Sequence, residues 1–146
     1  MIEHVLREWL SGVLSAAAGV AGFDVFPVYA QLERAQQPAP YAAYRRLPTR
    51  REYTLDGRGA MITPVHGQFR VTVWAETYDK AAELSAALIE AAALLASDDE
   101  SERVEIPEGM EALFVIADSD VHDPNLDLMQ IPRYGRAVDF TIVYDE

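Results

Sequence analysis

Apolar residues recur every three or four positions in two stretches of the chain, and this spacing predicts two amphipathic helices. The first helix runs from Ile2 to Ala17. The second runs from Tyr78 to Leu95, where Thr77 can cap its start and Asp79 lies in its first turn. Each helix therefore carries a narrow apolar stripe that needs another layer of structure to pack against.

Alternation of apolar and polar residues predicts β-strands between and after these helices. The clearest strand lies at Gly67–Glu76, where Phe69, Val71 and Val73 share one face and Trp74 lies on the other. The closing segment, Ala137–Tyr144, alternates in the same way. Three shorter stretches rich in β-formers complete the set: 23–29, 41–47 and 113–117.

The order and spacing of these elements predict the fold class. Short connections favour a mostly antiparallel sheet with both helices packed on one face, in a single α+β domain of 146 residues. Pro27 lacks the N–H that a central strand needs, so its strand suits the edge of the sheet. Leu113–Ala117 carries no charge, and we expect it to be a buried strand.

Two other segments are expected to lie on the surface. Asp56-Gly57 is a tight-turn signal and predicts a hairpin, within a span near 45–62 that projects from the sheet. Positions near 97–111 are acidic and include a proline and a glycine, which favours a solvated loop.

The chain is acidic, with 24 acidic residues against 12 basic ones and a net charge of -12. This excess opposes the basic surface by which proteins hold phosphate backbones, so stable binding of nucleic acid is disfavoured. The absence of cysteine excludes disulfides and suits a reducing compartment such as the cytoplasm. No stretch approaches the roughly 18 apolar residues of a membrane span, so no membrane partner is expected.

The sequence offers no pattern typical of a catalytic site. No serine lies in a nucleophile elbow, and Gly57-Arg58-Gly59 lacks the spacing of a phosphate loop. The best metal candidate is a run of carboxylates and one imidazole: Asp118, Asp120, His122, Asp123 and Asp127. Pro124 and Asn125 lie within it, so a solvated turn is favoured over a metal site. We therefore expect no catalytic residue, cofactor or metal.

Basic residues are concentrated in the predicted hairpin, which carries five arginines: Arg45, Arg46, Arg50, Arg51 and Arg58. Guanidinium groups suit carboxylates and phosphates alike, so three interpretations stay open: solvation of an exposed hairpin, docking on an acidic protein partner and, as a distant third, contact with DNA. In each case the arginines are expected to contribute little to the fold. Trp74 is a further candidate for partner binding, since either a local loop or a neighbouring subunit could cover its ring.

Taken in order, four features resemble the tail terminator, or tail completion, proteins of long-tailed bacteriophages. They are Pro40-Tyr41 leading into a strand, His66-Gly67 leading into Phe69–Ala75, the helix Tyr78–Leu95, and the closing segment Arg136–Tyr144. The match depends on order, spacing and size, and it covers most of the chain.

The resemblance implies a structural virion protein without catalytic activity, assembled in the host cytoplasm and carried in the tail or neck of the particle. It implies a homo-oligomeric ring, expected to be a hexamer, at the head-proximal end of the tail tube. The ring would end tube growth and contact both the tail tube protein and the head-tail connector protein, while DNA passes through without stable binding. The alternatives are another neck or head-completion protein or, less favoured, a small metal-binding domain or enzyme.

Overall fold

The computed structural model describes residues 2–20, 22–28, 40–47, 50–51, 65–95, 107–108, 110, 112–121 and 134–144. Within these residues two helices and six strands follow one another along the chain. They are α1 (Ile2–Ala18), β1 (Val25–Pro27), β2 (Tyr41–Arg46), β3 (Arg50–Arg51), β4 (Val65–Ala75), α2 (Tyr78–Leu95), β5 (Ala112–Val121) and β6 (Tyr134–Tyr144). Both predicted helices are confirmed, and α2 has the predicted bounds.

The described strands form one sheet in the order β1-β2-β4-β6-β5, and β3 pairs with β4 beyond the end of β2. β1 lies parallel to β2, whereas the other pairs are antiparallel. β4 is the central strand, because β6 pairs with it along its whole length on one side and β2 and β3 pair with it on the other. The predicted α+β fold with a mostly antiparallel sheet is confirmed.

Both helices pack on one face of the sheet, as predicted. Their core-facing leucines meet the apolar residues of β4 and β6: Leu6, Leu10, Leu14, Leu84 and Leu88. In the same layer the ring of Trp9 meets Phe140 edge-on, with 6.0 Å between the ring centroids. Full burial of a leucine side chain contributes about 1.5–3 kcal/mol, so these contacts hold the helices to the sheet.

Polar contacts fix the ends of the helices. α1 ends at Gly19, which adopts a φ of 70° and donates its N–H to the carbonyl of Ser15 at 3.0 Å. The Ser15 hydroxyl accepts the N–H of Phe23 at 2.9 Å, which directs the chain back towards β1. At the start of α2, Thr77 Oγ1 accepts the N–H of Lys80 at 3.2 Å, so the predicted cap is present.

The face of the sheet opposite the helices carries a second, smaller apolar cluster. It contains Phe26, Tyr41, Ala43 and Trp74, with Val121 packed against it. Phe26 and Tyr41 stack with 5.2 Å between centroids. Trp74 is only 3% exposed, so its own chain covers the indole. Gly135 lies opposite Trp74 on β6 and leaves room for that ring.

Strand β5 differs from the predicted buried strand. It is longer than predicted and lies at an edge of the sheet, where Leu113 is buried but Phe114 and Ile116 are 49% and 53% exposed. A β-bulge interrupts its pairing with β6. The prediction was wrong because an uncharged run has the same composition in a central strand as in an edge strand that exposes half of its side chains.

Only part of each predicted surface segment falls within the described residues. In the span near 45–62, Arg45 and Arg46 lie on β2 and β3 pairs with β4, so this part belongs to the sheet. The turn at Asp56-Gly57 lies outside the described residues. In the predicted loop near 97–111, Met110 is buried in the main core, while 97–106 also lie outside.

Neither helix within the described ranges is both long and apolar enough to cross a lipid bilayer.

Gly135 and Gly12 provide a matched pair of alanine substitutions. A Cβ added at Gly135 would lie 2.7 Å from a ring carbon of Trp74. We therefore expect Gly135→Ala to lower the free energy of unfolding by about 1–3 kcal/mol, because the indole or the strand must shift. A Cβ at Gly12 on α1 meets no atom within 4 Å.

Gly12→Ala should accordingly raise the free energy of unfolding by about 0.5–1 kcal/mol, since alanine favours the helix. Urea unfolding of the two variants and the wild type measures both effects. Equal stability of Gly135→Ala and wild type would contradict the close packing of Trp74 on β6.

Candidate partner-binding surface

Arg46 is held against the main core. Its guanidinium donates a hydrogen bond to the hydroxyl of Tyr144 and lies 5.7 Å from the centroid of the Phe69 ring. Glu3 of α1 approaches it at 3.9 Å. An exposed cation–π contact contributes about 0.5–1 kcal/mol, so Arg46 stabilises the end of the sheet where β4 and β6 meet α1. This contradicts the expectation that all the arginines contribute little to the fold.

Arg45 is exposed on the opposite face of the sheet and makes no ion pair with any described residue. It lies directly across from Arg70 on β4. Arg70 is in turn bound by the carboxylate of Asp139 on β6, with N–O distances of 2.8 and 3.1 Å. The hydrogen bond from Arg70 to Asp139, together with the charge of that carboxylate, raises the pKa of Arg70. Asp139 thus offsets one of two like charges, and Arg45 remains available to a partner.

A groove lies at the C-terminal end of β2, beside Arg45 and Arg46. It has a volume of about 360 Å³ and is lined by Glu3, Pro27, Val28, Tyr44, Arg45 and Arg46. Apolar side chains from the edge strand β1 and from β2 thus lie next to two guanidinium groups. Such a surface suits a protein segment that carries apolar side chains beside a carboxylate.

The structure brings four of the six predicted partner-binding residues to one side of β4. β3 pairs with β4 on the same side as β2, so Arg50 and Arg51 follow Arg45 and Arg46 along this edge. Arg58 lies outside the described residues. Trp74 lies on the same face as Arg45 but four residues further along the sheet, within the buried cluster, and its role in partner binding stays a prediction.

A second charged group lies at the other edge of the sheet, and sequence reasoning missed it. Arg136 of β6 donates hydrogen bonds to Asp118 at 2.7 Å and to Asp120 at 2.8 Å, both on β5. The hydrogen bond to Asp120 is the largest cause of the raised pKa of Arg136, and burial opposes it. The hydroxyl of Tyr78, in the first turn of α2, lies 3.5 Å from the same guanidinium.

These hydrogen bonds engage two of the five candidate metal ligands. Asp118 and Asp120 are bound by an arginine, and the other three candidates, from His122 onwards, lie outside the described residues. Within the described ranges no three potential metal ligands converge. The period-two spacing of the aspartates did place both on one face of a strand. The spacing could not show that Arg136 binds them, because the bulge shifts the register between β5 and β6.

The fold and the charged edges define a small α+β domain, and comparison with known proteins adds a similarity to solved structures. A scan of family models and a search of curated proteins find no match. Among solved structures, a chain from the "Virion of native gene transfer agent (GTA) particle" is similar to this one. The TM-score is 0.52 at 14% sequence identity, and the match covers 92% of this chain and 85% of that chain. At this identity the similarity shows a shared fold.

Arg136→Gln tests the pairing of β6 with the two aspartates. The substitution leaves the carboxylates of Asp118 and Asp120 side by side without a cation, so we expect the free energy of unfolding to fall by about 1–3 kcal/mol. The matched control is Arg7→Gln on the exposed side of α1, which should change it by less than about 0.5 kcal/mol. Urea unfolding at neutral pH measures both. Equal stabilities of the two variants would show that Arg136 contributes no more than a surface charge.

Proposed function

We propose that this chain is a structural protein of a phage-like virion and, within that class, a tail terminator. The observation that carries the proposal is the fold shared with a chain of a gene transfer agent virion, over 92% of this chain and 85% of that one. Coverage of this extent means that the whole architecture is shared and not one motif. The order of sequence features supports the narrower role, because it resembles the tail terminator family.

In this role the chain forms a closed ring, expected to be a hexamer, on the head-proximal end of the tail tube. One surface of the ring ends tube growth by contact with the tail tube protein, and the other receives the head-tail connector protein. The subunits assemble in the host cytoplasm and remain in the virion. No chemical step is required of the protein in this function.

The charge of the chain supports the proposal. A ring of subunits that each carry -12 repels the phosphates of DNA that passes through it, so DNA does not bind stably. Against this acidic background the arginines of β2 and β3 provide a local basic edge. That edge suits an acidic surface on a neighbouring subunit or on the tube.

The direct test is to add the purified protein to growing tail tubes that lack their terminator and to examine them by electron microscopy. We expect an ordered ring at one end of each tube and tubes that stop elongating, since the ring occupies the surface to which the next tube subunit would add. Tubes without the protein provide the control. Bare tube ends would remove the tail terminator role, and binding to filled heads instead would favour the alternative of a head-completion protein.

The arginine edge is tested by reversing three charges together in Arg45→Glu, Arg50→Glu and Arg51→Glu, with Arg46 left unchanged because it contacts the core. Exposed ion pairs contribute only about 0–1 kcal/mol each, so the melting temperature should stay within a few degrees of the wild type. Incorporation at tube ends should be lost, because several desolvated pairs become repulsive at once.

Arg7→Glu on the exposed side of α1 is the matched control for a reversed surface charge, and it should assemble normally. Thermal unfolding and quantitative electron microscopy measure the two effects separately. Unfolding of the triple variant would assign the arginines to the fold, and normal incorporation would leave them as solvated side chains.

A further inference from the structure

The two edges of the sheet differ in a way that suits contact between copies of the chain. At one edge lies β5, ten residues long, whose outer side has no strand partner among the described residues. Its two exposed apolar side chains, Phe114 and Ile116, are 49% and 53% exposed. Soluble proteins normally protect edges of this kind, and an exposed apolar edge strand is a template for pairing with another chain.

The opposite edge carries the groove beside β1. Its apolar lining comes from Pro27, Val28 and Tyr44, and its charge comes from Arg45 and Arg46. Pro27 lacks an N–H and therefore leaves a shorter run of backbone donors on this edge. Contact here depends more on side chains than on backbone pairing.

The pairing registers place the two edges at the same level. One line across the sheet runs through Val115, Phe140, Phe69 and Arg46, and the next runs through Ala117, Asp139, Arg70 and Arg45. The bulge residue Ile116 therefore lies at the level of the groove. Two copies placed side by side without a shift along the strands bring Ile116 of one copy to Val28 of the next.

Strand direction is also compatible with this placement. β5 is antiparallel to β6, β6 to β4 and β4 to β2, while β1 is parallel to β2. It follows that β5 and β1 run in opposite directions within one copy. When copies repeat head to tail with the same face upward, β5 of one copy meets β1 of the next in an antiparallel arrangement.

Charge distinguishes this contact from a two-fold dimer formed by two β5 edges. Asp118 and Asp120 outnumber their shared partner Arg136, so a β5–β5 contact joins two edges of the same sign. In the head-to-tail contact Asp118 lies two residues along the strand from the level of Arg46 and on the same face of the sheet. Arg46 keeps its hydrogen bond to Tyr144, and the opposite charges of the two side chains attract one another across the contact.

We infer that copies of this chain join head to tail, with Phe114 and Ile116 of the β5 edge seated against the β1–β2 groove of the next copy. This inference rests on the proposed function, because a ring requires a head-to-tail contact that repeats with a rotation between copies until it closes. It adds to that function the two surfaces that meet. Each copy uses both surfaces, one towards each neighbour.

Disulfide trapping tests the contact directly, and the chain suits it because it contains no cysteine. Val28→Cys and Ile116→Cys are made in separate copies, which are mixed and oxidised. A disulfide forms only when the Cα atoms come within about 7 Å, as they do across neighbouring strands. We expect the mixture to form a covalent dimer at least about tenfold faster than Ile116→Cys alone, because the contact raises the local thiol concentration.

The control mixture pairs Ile116→Cys with Ala86→Cys, since Ala86 is exposed on α2, in the helix layer and not at an edge of the sheet. The chain that carries both Val28→Cys and Ile116→Cys should give a ladder of covalent oligomers that ends at a closed ring. Arg45→Glu in the Val28→Cys copy should slow the crosslinking, because it reverses one of the two positive charges of the groove that meets the acidic β5 edge. Crosslinking of Ile116→Cys to itself as the main product, or equal rates in the test and control mixtures, would overturn the proposal.

This experiment uses the chain alone and therefore separates the contact from the tail role. Preferential crosslinking between positions 28 and 116 supports the contact even if tube ends stay bare, in which case only the tail role is lost. Tube ends that carry rings without this crosslink would keep the tail role and overturn the contact.

Discussion

The pairing of β4 along both of its sides is the constraint on which the rest of the structure depends. Phe69, Val71 and Val73 must face the two helices, and the register then fixes which residues of β2 and β6 face them too. A slip of one residue would turn the apolar set of a strand towards the other face. The same register places Arg46 on the helix face and Arg45 on the opposite face, so the two arginines line the groove from different faces of the sheet.

Periodicity along the sequence was sufficient for the elements that are defined locally. α2 begins after the cap at Thr77, and its apolar stripe packs as predicted. The two faces of β4 also follow from simple alternation, because a residue's side of a strand depends only on its position in the run. The mostly antiparallel sheet under two helices followed from the order and spacing of these elements.

The features that sequence reasoning missed all depend on pairing between distant strands. Leu113–Ala117 was predicted to be buried, yet β5 lies at the edge of the sheet. The prediction failed because the local sequence of a strand does not determine its position in the strand order. The pairing of Arg136 with Asp118 and Asp120 likewise requires the register of β5 on β6, which the bulge displaces. The sequence does not distinguish Arg46 from the neighbouring arginines, because its hydrogen-bond acceptor, Tyr144, lies 98 residues later in the chain.

An acidic subunit that assembles with itself must overcome repulsion between its copies. At -12 per chain the repulsion acts over long distances, but salt at physiological strength screens exposed charges beyond about 8 Å. Charge pairs that lose their water in an interface are screened much less. In the proposed contact, the basic groove at one edge and the excess of aspartate at the other would therefore attract each other at close range, where salt has already reduced the general repulsion. In the proposed ring, this difference in range would allow a strongly acidic chain to contact copies of itself specifically while it repels DNA.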